Sequence, residues 1–241
     1  MGNFGVVNDS KLIVGVVNLR YAISDIHGDF NSFENMIKLI KLKPSDTLYI
    51  LGDIIDRGRE PVKLLKYIME QKNFVCLIGN HEKMAIDSLV RNHLSYHWCD
   101  NGGSVTYEQL HTEGAEFKRD VIKWMRMLPV FYIIDDLKII LIHAGFYADK
   151  EETDWQDIVK KNSIDDFIWA RPKGSFTYNG GNTGYKYIVG HTPTLSIDKS
   201  LDVGEILEIG NTTYIDCGNA YKKRGGRLGC IRLEDGKKFY I

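Results

Sequence analysis

The first third of the chain alternates between two hydrophobic periods. "RYAIS" (20–24), "TLYILGD" (47–53) and "FVCLIGN" (74–80) are short apolar runs of the kind that buried strands present. Amphipathic stretches lie between them. "NSFENMIKLIKL" (31–42) puts Phe33, Ile37 and Ile40 on one helical face, and Asn31 with Glu34 predicts a capping-box start. "EPVKLLKYIMEQ" (60–71) predicts a second helix with Pro61 in its first turn, where a missing N–H costs nothing. This rhythm predicts βαβ units and a parallel sheet. Residues 82–128 predict helices without a long linker. The pattern then turns to strands and hairpins. "VFYIIDDLKIILIHAG" (130–145) predicts two strands joined at Asp135-Asp136, and "YKYIVGHT" (185–192) predicts another. Two late hairpins are expected, turning at Gly210-Asn211 and at Asp235-Gly236. The polar, Gly-rich stretch 171–184 predicts a loop. No repeat or low-complexity tract interrupts the chain, so one domain over 1–241 with a mixed α/β core is the simplest expectation.

The strand ends change the picture. The first closes in Ser24-Asp25-Ile26-His27-Gly28, the second in Gly52-Asp53-Ile54-Ile55-Asp56-Arg57-Gly58, the third in Gly79-Asn80-His81-Glu82. Later ones close in His143-Ala144-Gly145 and Gly190-His191-Thr192-Pro193. A turn after a strand needs Gly, Asn or Asp, but it does not need His. In open α/β sheets, sites are built at the carboxyl ends of strands. Any one of these residues alone reads as a turn former, a helix cap or a satisfied structural group. Their recurrence after successive strands assembles Asp25, His27, Asp53, Asn80, His143 and His191. Carboxylate, amide oxygen and imidazole suit Mn²⁺, Fe, Zn²⁺ or Ni²⁺. Six groups are too many for one ion that keeps a water; they suit two ions sharing a bridging carboxylate. No thiolate accompanies them, which argues against structural zinc.

Composition mainly excludes. With 241 residues, 44% hydrophobic and 26% charged, the chain has an ordinary soluble composition. A net charge of −1 gives no basic surface for nucleic acid. Cys76, Cys99, Cys217 and Cys230 form no Cys-x-x-Cys pair, so reduced thiols and a cytoplasmic location are expected. The run "LIVGVV" (12–17) is too short for a signal segment or a membrane span, and "MGNFGV" has Val6 where a myristoylation site wants Ser or Thr. No membrane partner is expected. The sequence assigns no oligomeric state.

"SDIHG", "GDIIDRG", "GNHE", "HAG" and "GHTP", in this order over 24–193, resemble the calcineurin-like metallophosphoesterases. Among these, the set is most similar to the phosphoprotein phosphatase family of serine/threonine phosphatases. "GNHEKMAIDSL" followed by "HWCDNGG" resembles its small bacterial and bacteriophage lambda type. The resemblance implies an α/β sandwich of mixed β-sheets flanked by helices. It also implies that Asp25, His27 and Asp53 hold a first metal, and that Asp53, Asn80, His143 and His191 hold a second. His81 would be the general acid, held by Asp56, while Arg57 and Arg171 would bind phosphate. Arg171 rests on the looser "FIWARPK" match. Ser24 stands where the family usually has Gly. Symmetrical dinucleoside tetraphosphatases often carry Ala at the position of Asp56 and "GNHD" for "GNHE", so this chain leans toward the protein-phosphatase branch.

The expected chemistry follows. Two divalent ions, Mn²⁺ first among the candidates, lower the pKa of a bridging water so that hydroxide attacks phosphorus in line. A planar arginine fork neutralises two phosphoryl oxygens. A departing Ser or Thr alkoxide is strongly basic and needs the His81 proton. The leading expectation is a protein serine/threonine phosphatase acting on phosphorylated protein or a small phosphoester. The alternative is a bis(5'-nucleosyl)-tetraphosphatase or another nucleotide phosphohydrolase. A nuclease is disfavoured by the charge. A non-catalytic phosphate-binding module is a distant alternative, since such a relic would have lost ligands. His93, His97 and His111 lie outside the strand-end set and are expected to be surface or packing residues.

Overall fold

The computed structural model describes residues 18–149, 151–172 and 181–241. The N-terminal run 12–17, the "MGNFGV" start and most of the predicted 171–184 loop (173–180) lie outside the described residues. Three strands, β1 (Arg20–Ile23), β2 (Thr47–Ile50) and β3 (Phe74–Cys76), pair in parallel. Their crossovers are α1 (Phe30–Ile40) and α2 (Pro61–Glu70). Four helices follow: α3 (Asn80–Val90), α4 (Tyr96–Asp100), α5 (Ser104–Glu113) and α6 (Ala115–Arg126). A second sheet then begins with the β4 (Phe131–Ile134) and β5 (Ile139–Ile142) hairpin. After α7 (Trp155–Lys161) and α8 (Ile164–Trp169), β6 (Lys186–Val189) pairs in parallel with β5. A short α9 (Thr194–Ile197) precedes the hairpin of β7 (Leu207–Ile209) and β8 (Thr212–Tyr214). After a 3₁₀ helix (Asn219–Arg224), β9 (Gly229–Arg232) and β10 (Lys238–Tyr240) return to the first sheet. The sheet orders are β10-β9-β1-β2-β3 and β4-β5-β6-β8-β7.

Period-two side-chain alternation builds the layers. In β1, Tyr21 and Ile23 face the helices of the first half, while Ala22 faces the opposite sheet. In β2, Leu48 and Ile50 point the first way and Tyr49 the other. In β5, Ile139 and Leu141 join that shared middle, and Ile140 and Ile142 face Phe146, Trp155 and Phe167 on the far side. Strands buried on both faces read as unbroken apolar runs, which is how they appear in the sequence. The result is two mixed sheets face to face with helices outside each, the expected α/β sandwich.

One expectation needs correction. Helix α1 is capped by Asp29, whose Oδ1 accepts from the Ser32 N–H at 3.0 Å; Asn31 sits exposed inside the first turn. Glu34 lies too far along to reach the cap and pairs with Lys38 at 2.7 Å, one turn on. The carboxylate two residues earlier wins because it meets the free N–H groups of the first turn. The strands that bear the expected ligands are divided between the sheets, β1 to β3 in one and β5 with β6 in the other.

Candidate metal centre

The ends of β1, β2, β5 and β6 and the first turn of α3 meet at one edge of the sandwich. Beyond β1 and β2 the chains stay zipped: His27 N–H donates to Asp53 O at 2.9 Å and Gly28 N–H to Ile54 O at 2.8 Å. The two sheets are joined at the site, where the His191 N–H donates to Asp25 Oδ2 at 2.9 Å and the His143 ring contacts Leu51 O at 2.6 Å. Asp25, His27, Asp53, Asp56, Arg57 and His191 all have φ between 51° and 72°. This left-handed region is costly for non-glycine residues and persists where surrounding structure enforces it, typically at functional sites. Gly79 has no room for a side chain: a Cβ there would press on the Asp53 carboxylate and lie 2.5 Å from the Asp53 nitrogen.

Asp53 sits at the centre. Its Oδ2 is 3.7 Å from His27 Nε2 and 3.8 Å from His81 Nε2, and its Oδ1 is 3.4 Å from His143 Nε2. His27, Asp53 and His81 form one group whose ligand atoms lie within 4.8 Å of one another; Asp53, His143 and His191 form a second. Asp25 adjoins the first, its Oδ1 4.0 Å from His27 Nε2. Asn80 adjoins the second, its Oδ1 2.9 Å from His143 Nε2. All six residues expected as ligands are buried here. Ser24 contacts the Asp25 carboxylate through its hydroxyl, beside Gly190, which leaves it space.

The donor set fits cations. His143 gives its Nδ1 proton to Leu51 O at 2.6 Å, and His27 gives its own to Ile55 O at 3.2 Å. A carbonyl can only accept, so in the neutral rings both Nε2 atoms carry lone pairs into the site. His143 Nε2, Asn80 Oδ1 and Asp53 Oδ1 are then three acceptors facing one another. His191 Nε2 is buried with no partner among the described residues. Burial pushes His27 and His191 well below the usual imidazole range, keeping them neutral. Burial, with the nearby Asp25 carboxylate adding to it, pushes Asp53 well above the usual carboxylate range. Acceptors gathered around Asp53, reached by few donors such as the His81 N–H at 3.1 Å, are the electrostatic complement of bound metal.

Beside this cluster, His81 Nδ1–H donates to Asp56 Oδ2 at 2.6 Å. Asp56 is fully buried and also accepts from Trp98 Nε1 at 2.7 Å and from Thr106 Oγ1 at 2.6 Å. Burial alone would lower the His81 pKa, but the Asp53 and Asp56 carboxylates outweigh it and raise it. The Arg57 guanidinium lies 3.0 Å from both His27 Nε2 and His81 Nε2, with Tyr221 against it. Arg171 lines the same cavity, 3.4 Å from Thr192 Oγ1. The cavity encloses about 480 Å³ and is also lined by Trp169 and Tyr221. His93, His97 and His111 are exposed and outside the cluster.

The sequence reading overlooked three supports. Glu82 is fully buried and accepts from the N–H groups of Asp53, Ile54 and Gly79, each at 2.9 Å. It thereby fixes the loop that carries Asp53. Its place three residues after Gly79, at a helix start, was the available signal. Trp98 and Thr106 clamp Asp56 from α4 and α5; Trp98 lies within the "HWCDNGG" motif, and nothing local in the sequence marks Thr106.

A model of the family described as calcineurin-like phosphoesterase matches residues 21–217. The chain belongs to the calcineurin-like phosphoesterases. Members of this family use a dinuclear metal centre, for which this phosphoesterase has the His and Asp groups. It is 27% identical over 220 residues to serine/threonine-protein phosphatase 1 of Salmonella typhimurium, covering 89% of this chain and 91% of that one. It is 32% identical over 133 residues to a symmetrical bis(5'-nucleosyl)-tetraphosphatase of Hamiltonella defensa, covering 53% of this chain and 44% of that protein. The match therefore spans less than half the length of the tetraphosphatase. A crystal structure of a putative diadenosine tetraphosphatase superposes with a TM-score of 0.68 at 16% identity, covering 95% of both chains. A serine/threonine phosphatase of Saccharomyces cerevisiae superposes at 0.58 and 18% identity, covering 89% of this phosphoesterase and 72% of that chain. At such identities the likeness shows the fold.

Proposed function

We propose that this phosphoesterase is a two-metal phosphomonoester hydrolase acting on phosphoserine and phosphothreonine in proteins, with residues 1–241 forming one catalytic domain. Asp25, His27 and Asp53 would hold one divalent ion, and Asp53, Asn80, His143 and His191 the other, with Mn²⁺ the first candidate and Fe, Zn²⁺ or Ni²⁺ the alternatives. When bound, the ions supply a nucleophilic water and neutralise phosphoryl charge. Arg57 grips two phosphoryl oxygens through its planar fork and orients the ester, with Arg171 assisting from the rim. Asp56 holds His81 through Nδ1, so that the proton on Nε2 is the one offered to the departing oxygen. The four cysteines are free thiols, and the reading assigns the enzyme to the reducing cytoplasm. Among the described residues no helix is long and apolar enough to cross a membrane.

The single observation that carries this reading is the buried His81–Asp56 pair at 2.6 Å. An elaborately held proton donor is needed where the leaving group is a basic alkoxide. It is needed far less where the leaving group is itself a phosphate. The near full-length match to the Salmonella phosphatase supports the same choice. The second reading, a symmetrical dinucleoside tetraphosphatase, is supported by the relative with higher identity. Measuring kcat/KM on a phosphoserine peptide, a phosphotyrosine peptide and diadenosine tetraphosphate with Mn²⁺ decides between them. Preference for the phosphoserine peptide is expected; preference for the tetraphosphate would replace the first reading by the second.

A further inference from the structure

The cavity continues outward from the metal centre to a mouth whose charge the phosphoryl group does not account for. Its lining includes four cations, Arg57, Arg171, Lys199 and Arg224, against one carboxylate, Asp53. The whole chain carries a net charge of −1, so this excess is local. Two neighbouring cations are neutralised: Lys222 pairs with Asp29 at 2.5 Å and Arg227 with Glu205 at 3.3 Å. Among the described residues, no carboxylate lies within 4.0 Å of Lys199 or Arg224. Asp198, adjacent in sequence to Lys199, turns its Oδ1 to Ser200, accepting from its hydroxyl at 2.7 Å and its N–H at 2.9 Å.

The two segments that carry these side chains are tied together. Gly204 N–H donates to Gly225 O at 2.9 Å, and Arg227 Nε donates to Gly204 O at 2.6 Å. Gly225, at φ 82°, allows the Asp202 carbonyl to approach closer than any side chain would permit. The mouth is thus a braced wall, lined also by Leu195 and Leu201. Lys199 and Arg224 are exposed, whereas His27, Asp53 and Asn80 at the floor are buried. A second phosphate joined to the scissile one through a single oxygen would stay beside it at the floor. Cations at the mouth face a group several bonds away, as a flanking side chain of a peptide is.

We propose that Lys199 and Arg224 form a specificity subsite for an anionic side chain flanking the phosphorylated residue, so that the preferred substrate is an acidic phosphopeptide. This rests on the hydrolase reading above and names its substrate more closely. Exposed charge contacts are each weak, so the pair is worth about tenfold in kcat/KM. The gain falls with ionic strength, since exposed pairs are screened.

The test uses p-nitrophenyl phosphate and a phosphoserine peptide flanked either by Ala or by Glu, in Mn²⁺. Wild type should favour the Glu peptide. Lys199→Ala/Arg224→Ala should lose about tenfold on that peptide through KM, with the Ala peptide and p-nitrophenyl phosphate unchanged. Lys72→Ala/Arg91→Ala removes the same charge outside the cavity lining and should keep the preference. No preference in wild type, an equal loss in the control variant or an equal loss on all substrates would overturn the subsite. A loss on diadenosine tetraphosphate without one on the Glu peptide would give the pair to a polyphosphate and overturn it too. Absence of p-nitrophenyl phosphate turnover in wild type would defeat the hydrolase reading instead. Fluorescence anisotropy of the two labelled peptides then decides the subsite separately, with a wild-type preference lost in the double variant supporting it and equal binding overturning it.

Discussion

Replacing Asp56 with Asn keeps the shape of the His81 support and removes its charge. The carboxylate accepts three side-chain hydrogen bonds, from His81, Trp98 and Thr106, at 2.6–2.7 Å. An Asn can turn its carbonyl toward the ring N–H groups of His81 and Trp98 and its amide toward the Thr106 hydroxyl, so no donor is forced against a donor. Each bond drops from a charged to a neutral one, worth about 1 kcal/mol. Part of that sum returns because a buried charge no longer has to be desolvated. A net stability loss of about 1–2 kcal/mol is expected by urea titration. Catalysis should suffer more. Burial pushes the His81 pKa down, and Asp53 and Asp56 raise it above the usual value. Without Asp56 it falls, so the proton is lost at lower pH. A general acid works while protonated, so activity falls as pH rises through its pKa, and this limb should move to lower pH in the variant. Above neutral pH, kcat/KM on a phosphoserine peptide should fall about 10²-fold, within the range of general acid catalysis. The loss on p-nitrophenyl phosphate should be clearly smaller, because p-nitrophenolate departs with little help. Equal losses on both substrates with an unmoved limb would refute the role given to His81 and Asp56.

Further expectations are as direct. Gly79→Ala presses a methyl group on the Asp53 carboxylate and should abolish metal-dependent turnover while α3 remains helical; wild-type turnover would mean that the loop yields freely. Arg57→Ala should raise KM and weaken inhibition by inorganic phosphate, and Arg171→Ala should do so less; unchanged constants for Arg57→Ala would remove it from phosphate binding. Asp29→Ala removes the α1 cap and the 2.5 Å pair with Lys222, costing about 1–2 kcal/mol near neutral pH. Burial pushes the Asp29 pKa up, but Lys222 and the Ser32 contacts bring it below the usual value. Its contribution is therefore present above the ordinary carboxylate pKa and is lost as pH falls through the lowered one. The stability gap between wild type and Asp29→Ala should close on acidification, and a constant gap would contradict the pairing.

Much of this site was legible because its chemistry sits where the hydrophobic pattern stops. Asp25, Asp53, Asn80, His143 and His191 each follow an apolar run within a few residues, and the turns they occupy are local features. Two things were not local. Pairing β9 with β1 through Ile231 and Ala22 brings the C-terminal hairpin into the first sheet, and no short window encodes it. Trp98 and Thr106 reach Asp56 across 42 and 50 residues, so their roles follow from helix packing alone. The α1 cap was misread for an opposite reason. Asn31 with Glu34 satisfies the spacing, but Asp29 is the better acceptor and the cap lies two residues earlier than the pattern suggested.

The central claim is that two ions share Asp53. The most direct measurement is metal content beside turnover of p-nitrophenyl phosphate. EDTA-treated protein is desalted, reloaded with Mn²⁺ and compared with Asp53→Asn treated alike. Wild type should recover two Mn²⁺ per chain together with its activity, and should unfold at higher temperature when loaded, since metal binds the native state. Asp53→Asn should fail to retain both ions and should lose turnover. Full activity in metal-stripped wild type, or two retained ions with wild-type turnover in Asp53→Asn, would contradict the account.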